Sequence, residues 1–159
     1  MSANKPIPAV PVQELADGDV NQVDLNALSQ GRKLLLVAVP GAFTPPCGEV
    51  HVPGYLSHAD ALKSKGVDEI LVLSPNDFFV MKAWSDQIDP DGNLRFLADG
   101  SGGFTKTMDQ VLDLTEMGLG LRTERYAAVL TDGQITDIWV EPVATEVTLS
   151  GAEAVLAQL

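Results

Sequence analysis

The sequence has little of several features that mark other classes of protein. It contains one cysteine, Cys47, so no disulfide can form within the chain and a disulfide-stapled secreted scaffold is excluded. Basic residues are scarce: 10 lysines and arginines stand against 22 acidic residues. The resulting net charge of -12 repels phosphate backbones and anionic membrane surfaces, so we expect no nucleic-acid partner. No apolar run is long enough to span a bilayer.

The amino terminus carries no recognisable targeting signal. Residues 1–12 contain one basic residue, Lys5, and neither an apolar signal-peptide core nor an Arg-rich presequence. We therefore expect a cytoplasmic protein. Hydrophobic residues make up 45% of the chain and charged residues 20%, as in ordinary globular proteins. A chain of 159 residues can bury a core without metal or disulfides, and residues 1–159 are predicted to form a single domain.

Hydrophobic runs and turn signals predict alternating strands and helices. The segment from Lys33 to Val39 is apolar after its first residue and stops at Pro40-Gly41, which is typical of a strand buried on both faces. A helix is predicted from Cys47 to Gly66, kinked at Pro53, and is followed by a strand at 70–73. The next predicted elements are a helix through Phe79, Ala83 and Trp84 with capping groups in Ser74-Pro75-Asn76, a strand at 94–97 and a helix at 104–112. The last are a hairpin of 126–130 and 135–140 around Asp132-Gly133, and a helix from Ser150 to Leu159 with Ser150 as its cap. This order matches an α/β thioredoxin-like fold, in which a central mixed sheet is flanked by helices.

The stretch from Val39 to Cys47, Val-Pro-Gly-Ala-Phe-Thr-Pro-Pro-Cys, is where chemistry is expected. A buried strand followed by a proline-rich loop places Cys47 in the first turn of a helix. Unpaired N–H groups and the helix dipole there favour a thiolate over a thiol. The alternative is that Cys47 is an inert, small hydrophobic residue of the core, and its surroundings decide between the two.

These surroundings resemble the peroxiredoxin family. Pro40, Thr44 and Cys47 fit its Pro-x-x-x-Thr-x-x-Cys signature, and the run Pro-Gly-Ala-Phe-Thr-Pro-x-Cys with residues 51–54 is similar to the type-5 (type II) subgroup. The resemblance implies a thiol-dependent peroxidase that reduces hydrogen peroxide and alkyl hydroperoxides without a cofactor. It continues through two further segments, Leu73 to Asp77 and Gly118 to Tyr126.

The resemblance also implies roles for single residues. Cys47 is the peroxidatic thiolate, Thr44 holds the peroxide in line with the sulfur, and Pro40 shields the thiolate from water. Arg125 stabilises the thiolate and the developing negative charge. Taken alone, Thr44 could be a loop hydroxyl, Pro40 a strand end and Arg125 a salt-bridge residue. Arg122 competes for the arginine role but lies three residues earlier and fits the family pattern less well.

His51 follows Cys47 by four residues, on the same face of a regular helix, so a Cys-His nucleophilic pair or a metal site has to be considered. Metal is disfavoured because there is no second cysteine and His58 is the only other histidine. A cysteine-dependent hydrolase would need a third, orienting group, which the sequence does not identify. In the family, the histidine at this position supports the active-site loop, and we expect that role for His51.

The sequence departs from the family pattern in two ways. Pro46 has no N–H, whereas many type-5 members have a non-proline residue there whose N–H helps to hold the peroxide. No resolving cysteine exists, so the resemblance points to a one-cysteine cycle in which glutathione, a glutaredoxin or a thioredoxin reduces the oxidised Cys47. Pro46 keeps one alternative open, a redox-sensing or binding protein of the same fold without sustained turnover.

Members of this subgroup commonly dimerise through loops around the active site. Phe43, Phe78, Phe79 and the segment 117–121 are apolar and suitably placed, so a homodimer is expected. Ordinary core packing is the alternative for at least one of these phenylalanines.

Overall fold

The structure, a computed structural model, describes residues 2–159, and its strands form one large and one small sheet. The strands are β1 (Ser2–Pro6), β2 (Val12–Ala16), β3 (Asp19–Val23), β4 (Lys33–Ala38), β5 (Glu69–Ser74), β6 (Arg95–Ala98), β7 (Val111–Leu114), β8 (Gly120–Thr123), β9 (Tyr126–Thr131) and β10 (Gln134–Val140). The large sheet has the order β1-β10-β9-β4-β5-β6-β2-β3, and β7 pairs with β8. Strands β4, β5 and β6 are mutually parallel, whereas the other neighbours are antiparallel, so the sheet is mixed.

Helices connect and cover the strands. They are α1 (Leu25–Leu28), α2 (Val52–Ser64), α3 (Phe78–Ile88), α4 (Gly103–Thr107) and α5 (Ala152–Gln158). A π-helical segment, Pro46–His51, leads directly into α2, and a 3₁₀ turn covers Thr115–Met117. Among the described helices, none has the length and hydropathy needed to cross a membrane.

The central strand β4 divides the core into two layers. Its side chains alternate, so Leu35 and Val37 pack with buried residues of α2, α3 and α5. Leu34 and Leu36 pack on the opposite face with Leu25 of α1 and Phe104 of α4. Because both faces are buried, the strand is a continuous apolar run in the sequence. The predicted thioredoxin-like α/β fold, a central mixed sheet flanked by helices, is confirmed.

The predicted hairpin is also confirmed. β9 and β10 pair in antiparallel fashion around Asp132 and Gly133, whose φ angles are 48° and 82°. Positive φ at both central residues is the geometry of a type I′ turn, which Asp-Gly sequences favour. A Cβ on Gly133 would also lie 2.9 Å from Gln30 Nε2, so glycine fits this turn for two reasons.

The helix predicted at 104–112 is wrong in its second half. The observed helix ends at Thr107, because Asp109 takes a left-handed φ of 56° and the Gln110 N–H donates to the Thr105 carbonyl. Residues 111–114 then form β7, a partly exposed strand without a strong hydrophobic pattern.

The helix predicted from Cys47 to Gly66 has a different start. In place of a kink inside one regular helix, the segment Pro46–His51 is π-helical, and Pro53 lies in the first turn of α2. Proline lacks an N–H and so cannot donate to the preceding turn, and it lies where the π-helical segment changes to α-helix. The Val52 N–H donates to the Cys47 carbonyl, five residues back, as expected for a π turn.

Two predicted helix caps are wrong. Asp77, rather than Ser74-Pro75-Asn76, caps α3 by accepting a hydrogen bond from the Val80 N–H. Helix α5 begins at Ala152 after Gly151, without a side-chain cap, and Ser150 bonds elsewhere. The three N-terminal strands and α1 were not predicted at all.

Candidate active site

The ends of two adjacent strands bring the candidate residues together. β4 and β9 are antiparallel neighbours, and Ala38 at the end of β4 is opposite Tyr126 at the start of β9. The loop that leaves β4 toward Cys47 therefore starts beside Arg125, which immediately precedes β9. Residues far apart in the sequence meet here because of the register of the central sheet.

Hydrogen bonds fix the loop before Cys47. The Thr44 hydroxyl donates to the Gly41 carbonyl at 2.7 Å, and the Gly48 N–H donates to the Thr44 carbonyl at 2.8 Å. Asn76, in the loop after β5, accepts from the Ala42 N–H at 2.9 Å through Oδ1. Because the Thr44 hydroxyl hydrogen is used by the loop, its oxygen lone pairs remain able to accept a hydrogen bond from a ligand.

Cys47 lies in the first turn of the π-helical segment and is almost completely buried, with 1% of its surface exposed. Arg125, equally buried, donates from Nη2 to the Cys47 Sγ at 3.0 Å. Its Nε donates to the Ala144 carbonyl at 2.7 Å, which holds the guanidinium in place. Within residues 2–159 no carboxylate lies within ion-pair distance of Arg125. Arg125 thus places a buried positive charge directly beside the Cys47 sulfur.

His51 contacts Arg125 rather than Cys47. Arg125 Nη1 lies 2.8 Å from His51 Nδ1, and because a guanidinium only donates, Nδ1 must accept. The proton of the neutral imidazole is thus on Nε2, which donates to the Ser150 carbonyl at 3.0 Å. Burial, and next the charge of Arg125, lower the pKa of His51 from 6.5 to about 4. The imidazole is therefore neutral and acts as an acceptor that orients the arginine.

A second group of buried side chains fixes Ser150, the residue to whose carbonyl His51 donates. The Ser150 hydroxyl donates to Glu141 Oε2 at 2.6 Å, and the Tyr55 hydroxyl donates to the Ser150 carbonyl at 2.5 Å. Glu141 also accepts from the Ser150 N–H and from the N–H and hydroxyl of Thr148. Burial by itself would raise the pKa of Glu141, but these four hydrogen bonds outweigh it and lower the pKa. The charged carboxylate thus fixes the segment that carries the Ser150 carbonyl.

A cavity of about 370 Å³ opens beside this network. The residues that line it include Pro40, Thr44, Pro46 and Arg125. Its walls are mainly aliphatic and are formed by Leu112, Leu114, Met117, Leu119 and Val143. Pro46 precedes Cys47 in the chain and Arg125 donates to its sulfur, so a small molecule in the cavity lies next to two neighbours of Cys47.

The structure brings most of the predicted site residues together. Cys47, Arg125 and His51 form one hydrogen-bonded chain, and Thr44 and Pro40 border the cavity. Their catalytic roles stay predictions. Arg122 also lines the cavity, but its Nε donates to the Leu119 carbonyl.

Sequence reasoning missed the supporting groups, which are Asn76, Ala144, Glu141 and Ser150. Two signals were available: Asn76 lies in the family-like segment Leu73 to Asp77, and the charged Glu141 directly follows the strand β10. Within residues 2–159 there is also no group of three or more His, Cys, Asp or Glu side chains able to hold a metal ion.

This arrangement suits a nucleophilic sulfur. A guanidinium at this distance can stabilise negative charge on the Cys47 Sγ, which is almost completely buried. Thr44, whose hydroxyl oxygen can still accept a hydrogen bond, lines a cavity large enough for a small organic molecule.

Comparisons with known proteins agree with this chemistry. The Redoxin family matches residues 2–156. Peroxiredoxin-2C of Oryza sativa subsp. japonica is 45% identical over 145 residues, which cover 90% of this chain and 89% of that protein. The crystal structure of reduced Prx3 in complex with hydrogen peroxide from Vibrio vulnificus is 39% identical, with a TM-score of 0.92 and coverage of 99% of this chain and 95% of the other. Peroxiredoxin 5 from Alvinella pompejana is 33% identical, with a TM-score of 0.85 and coverage of 99% and 96%.

Proposed function

The chain belongs to the Redoxin family and, within it, to the peroxiredoxins of the type-5 subgroup, and from this premise we propose a one-cysteine catalytic cycle at Cys47 that an external thiol completes. It is a thiol-dependent peroxidase. The observation that carries the assignment of the site is the hydrogen bond of 3.0 Å from the buried Arg125 to the Cys47 sulfur.

In the first step, the Cys47 thiolate attacks the terminal oxygen of the peroxide. A sulfur–oxygen bond forms, the oxygen–oxygen bond breaks, and the leaving alkoxide or hydroxide takes a proton from solvent. Thr44 accepts a hydrogen bond from the peroxide and aligns it with the sulfur. Arg125 stabilises the negative charge that moves from sulfur to the leaving oxygen, while Pro40 keeps water from the thiolate.

In the second step, a thiol attacks the sulfur of the Cys47 sulfenic acid and hydroxide leaves, which becomes water. A second thiol then attacks the mixed disulfide and releases the Cys47 thiolate. Glutathione, a glutaredoxin or a thioredoxin is the reductant that we propose, because the chain has a single cysteine and cannot form an internal disulfide. Hydrogen peroxide and alkyl hydroperoxides are the proposed oxidants, the former present in the related Vibrio vulnificus structure and the latter suited to the aliphatic cavity.

A homodimer in the cytoplasm is proposed as the working form. Phe43, Phe79 and Met117 are exposed by 50%, 67% and 70%, and Met117 borders the cavity. Such apolar surface near a site favours a contact between copies. Phe78, by contrast, packs against the core, as one phenylalanine was expected to do. Sedimentation at micromolar concentration tests the dimer, and a purely monomeric species contradicts it.

The rate of Cys47 oxidation tests the peroxidase site. Trp84 is buried, and its Nε1 lies 3.6 Å from the position that a Cβ on Gly48 would take, so its fluorescence reports on the surroundings of Cys47. Mixing the reduced protein with hydrogen peroxide or cumene hydroperoxide should give a second-order rate far above that of a free thiol. Arg125→Ala should lower it by about 100-fold or more, since one charge-assisted donor is lost at the reacting centre.

Arg32→Ala is the matched control. Arg32 is a half-exposed arginine bound to Glu69 at 3.1 Å, remote from the cavity lining, so its removal tests for unspecific effects of lost charge. If the wild-type protein's Cys47 is oxidised no faster than free cysteine, the assignment of this site to peroxide reduction is refuted. A fast single oxidation without turnover under excess thiol would instead favour the redox-sensing alternative.

A further inference from the structure

Arg122 is a second cation at the cavity, and the proposed peroxide chemistry does not use it. It is half-buried, and its Nε donates to the Leu119 carbonyl at 2.8 Å, which fixes the direction of the guanidinium. Within residues 2–159 it forms no ion pair, and no hydrogen bond involves its terminal nitrogens, Nη1 and Nη2. The two donors that could bind a carboxylate side by side are thus unused.

The cavity is also unusual in charge. The chain carries 22 acidic and 10 basic residues, yet none of the fifteen residues that line the cavity is acidic, and two are arginines. An anion that approaches the protein is repelled at long range by a net charge of -12. Inside the cavity, next to aliphatic walls that weaken screening by water, it meets only positive charge.

Arg122 lies close to the reacting groups. A Cβ placed on Gly41 would be 3.8 Å from Arg122 Nη1 and 3.9 Å from the Thr44 hydroxyl oxygen. Both groups therefore lie within van der Waals reach of one point in the loop. A molecule whose peroxide or thiol group lies beside the Thr44 hydroxyl therefore needs only a spacer of a few carbons to place a carboxylate on Arg122.

We propose that Arg122 binds the carboxylate of a small organic reactant in this cavity and thereby selects anionic reactants for the peroxidase cycle. The inference rests on the proposed function, because it concerns reactants of the same site. Two reactants of that cycle can carry the carboxylate: the hydroperoxide that oxidises Cys47 and the thiol that reduces its sulfenic acid. In both cases the bond changes are those of the two steps described above, and Arg122 takes part only through binding.

Matched acid and ester probes test the inference in two arms. In the oxidation arm, 4-hydroperoxy-4-methylpentanoate is compared with its methyl ester in the Trp84 fluorescence assay. In the reduction arm, 3-mercaptopropionate is compared with its methyl ester in the reduction of pre-formed sulfenic acid. The ratio of acid rate to ester rate is measured for the wild type and for Arg122→Gln, so that differences in intrinsic reactivity cancel.

Loss of a charge-assisted contact should lower this ratio by about tenfold in at least one arm. Arg122→Lys should retain part of the preference, and high salt should reduce it in the wild type. Lys65→Gln is the matched control, because Lys65 is an exposed cation outside the lining of this cavity and should leave the ratio unchanged. The arm that responds identifies whether the carboxylate belongs to the peroxide or to the thiol.

An acid-to-ester ratio that is equal in the wild type and in Arg122→Gln in both arms overturns the inference. Rates with hydrogen peroxide separate this failure from failure of the proposed function. If hydrogen peroxide oxidises Cys47 rapidly while the ratios do not change, only the role of Arg122 is refuted. If hydrogen peroxide reacts no faster than with free cysteine, both proposals fall.

Discussion

Acid should destabilise the protein through His51. The folded state binds a proton on this histidine only below about pH 4, whereas the unfolded chain binds it below about 6.5. Between these values the unfolded state holds more protons, so stability must fall as the pH falls. The site offers no room for the proton, because Nδ1 accepts from Arg125 and Nε2 already carries a hydrogen.

The size of the effect follows from the shift. Each unit of pKa difference corresponds to roughly 1.4 kcal/mol, so the loss approaches about 3 kcal/mol once the pH is below 4. About 2 kcal/mol of this loss falls between pH 7 and pH 5, above the range in which ordinary carboxylates titrate. This is a large part of the stability of a typical domain.

Urea unfolding at pH 7, 6 and 5 measures the effect, with His51→Gln as the comparison because glutamine cannot titrate. The difference in unfolding free energy between the two proteins should narrow by about 2 kcal/mol over this range. A second readout is the histidine NMR signal, which should keep the form protonated on Nε2 down to pH 5. A His51 that titrates near 6.5 would refute the reasoning, and with it the geometry in which Nδ1 accepts from Arg125.

Two further substitutions test the surroundings of the site. Glu141→Gln replaces an acceptor of four hydrogen bonds by a group that also donates. The free energy of unfolding, measured by thermal unfolding, should therefore fall by about 2 kcal/mol, and Cys47 oxidation should slow. Glu153→Gln on the exposed face of α5 is the control. Pro46→Thr restores an N–H beside Cys47, so stopped-flow oxidation should be as fast or faster; a clear loss would show that the proline is needed to set the loop.

The central sheet could be predicted because its residues carry the signal themselves. β4 is buried on both faces and is therefore an unbroken apolar run in the sequence. Asp132-Gly133 directly marks the turn between β9 and β10. The edge strand β3 of the large sheet could not be predicted in this way. In β3 four of the five residues are exposed, and the strand is held by backbone pairing to β2, in which Val12 is opposite Val23. Pairing of main chains leaves little trace in the side chains.

In the candidate site, too, some residues could be predicted from the sequence and others could not. Cys47, Thr44 and Arg125 could be named from the sequence because a family pattern surrounds them. Glu141 and Ser150 could not, since their effect on Cys47 passes through His51 and depends on contacts between residues 99 positions apart. Nor could the acceptor role of Nδ1, because a π-helical segment, not a regular helix, turns His51 toward Arg125.

The separation of the paired residues has a consequence for the growing chain. A protein is synthesised from its amino end, and Arg125 is added 78 positions after the cysteine whose sulfur it contacts. Ser150, which fixes His51, follows later still. Until β9 has been made and has paired with β4, no guanidinium lies beside Cys47, and a partly synthesised or misfolded chain carries an unassisted thiol. With the role proposed for Arg125, fast reduction of peroxide therefore begins only when β9 and the segment that carries Ser150 are in place.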